Sequence, residues 1–158
     1  MILTWRNLHL ADAVVCDKLN ARLAGGAGCS LVEHDLLAWL AAAPGKRLRM
    51  LDLATRLRVT AGGLTRIIDR LVERGWIERD RPVENRREVY ATLTKAGTAA
   101  HRTARVVYSQ VIEETFARHL DEHDLVTLAG IAQKLLDRLG SGRDVRPRHR
   151  QADSEPDP

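Results

Sequence analysis

The chain has 158 residues, 44% of them hydrophobic, which suits one domain with a substantial core, and no apolar run approaches the roughly 20 residues needed to span a bilayer. Charges at Arg6, Asp12 and Asp17 argue against an N-terminal secretory signal, and two cysteines, Cys16 and Cys29, are too few for a disulfide scaffold and fit a reducing cytoplasm. The net charge of +4 is unevenly placed: residues 46–90 hold 12 Lys/Arg against 7 Asp/Glu, the remainder 13 against 14, so the whole excess sits in one central segment, the footprint of a nucleic-acid binder.

In chain order, residues 3–23 are predicted to form a helix, because Leu8, Ala11, Val15, Leu19 and Leu23 recur at spacings of three and four. "AGGAGCS" (24–30) is expected to break it. Ser30 and Glu33 form a capping box for a second helix reaching about Ala43, with Leu36, Leu37, Trp39 and Leu40 inward. "PGKR" (44–47) is a turn. A short helix near 50–57 follows, with Leu51, Ala54 and Leu57 apolar, then the tight connection "RVT" (58–60) with Thr60 as N-cap. The next helix, about 61–74, buries Leu64, Ile67, Ile68, Leu71 and Val72, and Gly75 takes the left-handed C-cap position.

After Gly75 the period changes from helical to alternating. "WIERD" and "REVYATLT" read as two strands around a turn, "RPVENRR" (81–87). From Thr94 a long helix is expected to about His119, and another from about Asp121 to Leu139, with Asp121 and Asp124 in its acidic first turn. The tail 140–158 is rich in Gly, Pro and charge and is expected to be disordered.

Two short helices joined by a few residues and followed by a hairpin make a winged helix-turn-helix, whose second helix enters the DNA major groove. Thr60, Ala61, Gly62 and Gly63 then stand at the end that meets DNA first, where small residues let backbone approach phosphate and free N–H groups attract it. Thr65, Arg66, Asp69 and Arg70 lie opposite the Leu64/Ile67/Ile68/Leu71 face and would point into the groove, where arginine binds guanine edges. The bland alternative is a solvated face with Arg66–Asp69 and Arg70–Glu73 as ion pairs three residues apart.

The segments "MLDLATRLRVTAGGLTRIIDRLVERGWIERD" and "ENRREVYATLTKAG" resemble the MarR (multiple antibiotic resistance regulator) family of bacterial transcription factors over residues 31–100. The resemblance implies a mainly α fold with a small β-hairpin wing and long flanking dimerisation helices. Its division is 1–30, the N-terminal dimerisation helix and loop; 31–93, the winged helix-turn-helix; 94–139, the C-terminal dimerisation helices; and 140–158, the tail. It implies a homodimer on a pseudo-palindromic operator of double-stranded DNA, usually a repressor, released by a small ligand or oxidant. Within the wing it assigns Asn85, Arg86 and Arg87 to DNA, with Arg87 in the minor groove. Asn85 stands where the family commonly has Asp, which weakens the ion pair that steadies the arginine.

A seam of Leu125, Leu128, Ala132, Leu135 and Leu139 at spacings of three and four supports helix pairing between chains. Trp5, Arg6, His9, His34 and Trp39 are the candidates for an aromatic carboxylate ligand, in the region where the family binds such molecules. Cys16 reads as a small apolar filler, with Asp17 raising its thiol pKa. His119 and His123 lack a further ligand set, so neither metal nor cofactor is expected. No G-x-S-x-G, phosphate loop or paired Cys/His set is present, which argues against an enzyme. The competing class is a protein-interaction scaffold built on a winged helix, which has no need of the basic central segment.

Overall fold

The computed structural model describes residues 1–81 and 88–139. The calls on the wing tip (Asn85, Arg86, Arg87) and on the tail 140–158 lie outside these residues. Among them are six α-helices and three strands: α1 Ile2–Ala27, α2 Leu31–Ala42, β1 Arg47–Arg49, α3 Met50–Leu57, α4 Ala61–Glu73, β2 Ile77–Asp80, β3 Tyr90–Leu93, α5 Lys95–Thr115 and α6 Glu122–Leu139. Short 3-10 turns precede β1 and follow α5. No described helix is long and apolar enough to cross a membrane.

Two cores carry the fold. The first joins Leu36, Leu37 and Leu40 of α2 to Leu53 and Leu57 of α3, to Leu64, Ile67, Ile68 and Leu71 of α4, and to Ile77, Ala91 and Leu93 of the sheet. The second packs Leu19 and Leu23 of α1 with Cys29 and Leu31 against Ala104 and Val111 of α5. Trp76 touches both and marks their junction. Truncating any one of the fully buried leucines to alanine costs about 2–5 kcal/mol.

Local chemistry explains the element ends. Ser30 and Glu33 form the reciprocal capping box at α2, and the Thr60 and Thr94 hydroxyls accept from Gly63 and Gly97 at α4 and α5. The "L-T-x-x-G" stretch has a steric cause: a Cβ on Gly97 would lie 2.0 Å from the Trp76 carbonyl oxygen. The same Thr94 hydroxyl donates to the Gly75 carbonyl at 2.7 Å, which locks the left-handed turn at Gly75 (φ 68°) onto α5.

Several expectations are corrected. The expected break at 24–30 is shorter than drawn, because α1 runs through Gly25 and Gly26 and stops only at left-handed Gly28 (φ 64°). A Cβ on Gly26 would meet Val107 Cγ2 at 3.2 Å, so glycine there serves the close approach of α1 to α5. The turn after α2 leads into a strand that the sequence did not announce. β1 pairs antiparallel with β3 (Arg47↔Thr92, Leu48↔Ala91, Arg49↔Tyr90), giving the order β1-β3-β2. Three residues with one apolar position carry no readable alternation, and the strand exists because β3 supplies a partner. Trp39 points outward, 41% exposed, with the Arg56 guanidinium 4.7 Å from its ring. Leu51 and Val72 are likewise exposed, each one position off the stripe that faces the core.

Apolar side chains remain uncovered in two places. No residue of α6 is buried, and Val126, Ile131, Leu135, Leu136 and Leu139 are all exposed. The N-terminal half of α1 exposes Ile2, Leu3, Trp5, Leu8, Leu10 and Val14. An apolar surface of this extent marks an interaction site.

Candidate nucleic-acid interface

The outer face of α4 begins at its N-cap. Thr60 Oγ1 accepts from the Gly63 N–H at 3.1 Å, leaving the first-turn N–H groups of Ala61 and Gly62 without an intrahelical partner. Ala61 and Gly62 are exposed. The two glycines differ: a Cβ on Gly63 would crowd Thr60 Oγ1 at 3.2 Å, whereas one on Gly62 would meet nothing within 4 Å. Gly63 therefore serves the cap, and nothing in the described chain requires glycine at 62.

Thr65 and Arg66 are exposed on the same outer face. Thr65 Oγ1 donates back to the Ala61 carbonyl at 2.9 Å. Asp69 does not pair with Arg66; it binds Arg79 of β2 at 2.6 Å, tying recognition face to sheet. Among the described residues Arg66 makes no ion pair. Arg70 does not pair with Glu73: its Nε donates to Glu33 Oε1 at 3.1 Å, while the side chain stays half exposed. The sheet edge is braced by Arg47 on Asp80 at 2.5 Å and Arg49 on Glu88 at 3.0 Å, with Arg47 stacked over Tyr90. Among the described residues, Arg47, Arg49, Arg70, Arg74 and Arg79 of the central segment are held in ion pairs, and Arg66 is the cation of α4 without one.

Glu33 is the residue that reading the sequence understated. It is 3% exposed. Its Oε2 accepts from the Ser30 N–H at 2.9 Å and lies 4.0 Å from Arg74 Nη1. Burial opposes its charge, but the Ser30 hydrogen bond and Arg70 outweigh burial and hold the carboxyl below its ordinary pKa. The capping box was visible in sequence; the two arginines 37 and 41 positions away were not. Arg58 was also missed: it adopts the left-handed conformation (φ 55°) at the end of α3 and its N–H closes the helix on Ala54 and Thr55.

The five ligand candidates do not converge within one chain. Trp5 is 68% exposed and stacks only on His9, with ring centroids 6.4 Å apart. The buried part of α1 begins at Leu19, about 20 Å further along the helix from Trp5 and Arg6 at 1.5 Å per residue. His34 instead lies buried under Tyr108, ring centroids 4.4 Å apart, with His101 at 6.0 Å. These residues line a groove of about 510 Å³ between α2 and α5 that also includes Arg105 and Ser109. Burial, then His34 and Arg105, lower the His101 pKa. The Cys16 thiol pKa is raised, first by burial and then by Asp12, whose carboxylate lies 3.8 Å away; Asp17 contributes least. Burial pushes the Cys29 thiol up to about 11.

The MarR family model matches residues 29–89, which run from the α2 cap into the sheet. The chain is 32% identical over 85 residues to the multiple antibiotic resistance protein MarR of Escherichia coli strain K12, covering 54% of this chain and 59% of that protein. A MarR family transcriptional regulator from Streptomyces coelicolor, Sco3205, solved in complex with DNA, superposes with a TM-score of 0.82 at 27% identity, covering 91% of this chain and 94% of that one. Over its central segment the chain is similar to the MarR family. A second MarR structure, a variant of the Escherichia coli protein complexed with operator DNA, matches with a TM-score of 0.74 at 26% identity over 85% of this chain and 94% of that one. The sequence matches thus span less than two thirds of the curated MarR proteins, while the two structural matches each cover 94% of the solved chain. The fold is mostly helical with a small antiparallel sheet, as in these winged-helix regulators.

Proposed function

We propose that this chain is a MarR-family transcriptional regulator, a cytoplasmic homodimer that binds double-stranded DNA in a sequence-specific manner, with α4 of each protomer in the major groove of a pseudo-palindromic operator. The observation that carries this reading is the outer face of α4. An open N-terminus with a glycine that the fold does not need is followed by exposed Thr65 and by Arg66, the one α4 arginine outside the Glu33 cluster. The DNA-bound relatives of the same fold support it. A protein-interaction scaffold accounts for neither feature.

The dimer reading rests on the bare apolar faces of α6 and of the first half of α1, which a second copy would cover. In such a dimer residues 1–30 and 94–139 form the arms and 31–93 the DNA-binding unit, with recognition helices about 34 Å apart for half-sites on one face of the duplex. Repression is taken as the mode of action. Release by an aromatic carboxylate is assigned to the groove between α2 and α5, where Arg105 supplies charge and Tyr108 and His34 supply rings. Trp5, Arg6, His9 and Trp39 stand outside this groove.

The test is selection of duplexes from a random library, followed by a gel shift. A protein of this function enriches an inverted repeat and binds it well above random DNA; failure to enrich any sequence refutes the reading. Hydroxybenzoates should weaken the complex of the unmodified protein and leave that of Arg105→Ala unaffected; no effect on the unmodified protein refutes the ligand assignment.

A further inference from the structure

Glu33 connects three elements at one carboxylate. It closes the α2 cap through the Ser30 N–H and takes Arg70 Nε and Arg74 Nη1 from successive turns of α4. Arg74 Nη1 also donates to the Gly28 carbonyl at 2.6 Å, the residue that terminates α1, and its guanidinium lies 5.0 Å from the ring of Trp76, which joins the two cores. A capping box alone does not need a carboxylate, since glutamine serves equally at that position. The charge is needed only for the arginines.

We propose that Glu33 is a positioning residue that sets the angle between α4 and α1 through Arg70 and Arg74, and so governs how strictly a dimer reads the spacing between its two DNA half-sites. This rests on the DNA-binding reading above. The lever is long: α1 has 26 residues, about 39 Å at 1.5 Å per residue. A tilt of about 5° at its Gly28 end moves the far end about 3.4 Å, which is one base-pair step. The clamp therefore acts where a small angular freedom becomes a whole step of register. Arg70 belongs to this clamp rather than to base reading.

The experiment measures affinity for the selected operator, for operators lengthened or shortened by one base pair between half-sites, and for a duplex carrying a single half-site. The unmodified protein is expected to favour its own spacing by about tenfold or more, the size of one lost base contact. Glu33→Gln keeps the cap and loses the clamp; it should bind the three spacings within about threefold of one another and the single half-site as the unmodified protein does. Arg74→Gln, which leaves Glu33 in place, should behave the same way and serves if Glu33→Gln does not fold. A retained spacing preference in the variant overturns the proposal. So does an equal loss on every duplex, or failure of both variants to fold, since each makes the role purely structural. No preference of the unmodified protein for any duplex overturns the DNA-binding reading itself.

Discussion

Gly62→Ala separates what the fold needs from what a ligand needs. Gly62 lies in the first turn of α4 with helical backbone, and an added Cβ meets nothing within 4 Å. Alanine is favoured over glycine in a helix by up to about 1 kcal/mol. The variant should therefore be the more stable protein, by roughly 2–4 °C in Tm for a chain of this size, with melts compared at one protein concentration because a dimer's melting depends on it. DNA binding should move the other way. If the Gly62 backbone touches phosphate, a methyl group holds it off, and loss of a hydrogen bond to a charged group costs about 1.5–3 kcal/mol, roughly 10- to 150-fold in affinity. The loss should be alike on operator and random duplex, and the salt dependence should be unchanged because no cation has been removed. Scanning calorimetry and anisotropy titration read the two halves. A variant of raised stability and unchanged affinity would show that the backbone at 62 does not approach DNA. A variant of lowered stability would refute the reading of open space.

Gly97→Ala should destabilise by about 1–3 kcal/mol in a urea titration, because its Cβ would lie 2.0 Å from a backbone carbonyl that Thr94 already holds. Leu135→Asp puts a charge in the uncovered α6 seam; light scattering should change from twice the 17.7 kDa chain mass to monomer or aggregate, and a monomeric unmodified protein refutes the dimer. The lowered pKa of His101 means that the unfolded chain takes up its proton first, so stability should fall as pH drops below 6.5 and keep falling to the folded value; His101→Gln should flatten that part of the profile, measured by urea midpoints from pH 7.5 to 5. With both thiol pKa values raised, neither cysteine should react with a disulfide reagent at pH 7.5 faster than free cysteine does.

The recognition unit was legible because its signals are local. The Ser30 and Thr60 caps, the Leu64/Ile67/Ile68/Leu71 stripe and Gly75 each depend on residues within a turn or two of one another, and all stand where the spacing placed them. The misreadings share a different cause. The fate of Arg70 was decided by Glu33, 37 residues upstream, and the fate of Asp69 by Arg79 on a strand; helical spacing offered each a partner that the folded chain does not use. β1 had no pattern of its own, and Gly26 read as part of a break because the neighbour that calls for a small residue there, Val107, lies on another helix. The five ligand candidates divide between two helices, Trp5, Arg6 and His9 on the first third of α1 and His34 and Trp39 on α2, a separation that grouping by family region does not reveal.

The central claim is that Arg66 on the outer face of α4 reads DNA sequence. An anisotropy titration of Arg66→Ala against selected operator and random duplex, over a salt series, tests it most directly. The account predicts a loss of roughly 5- to 150-fold on the operator, the worth of one bidentate contact to guanine, with a much smaller loss on random duplex. An equal loss on both, with the salt slope reduced by about one ion, would contradict it and leave Arg66 as a phosphate contact only.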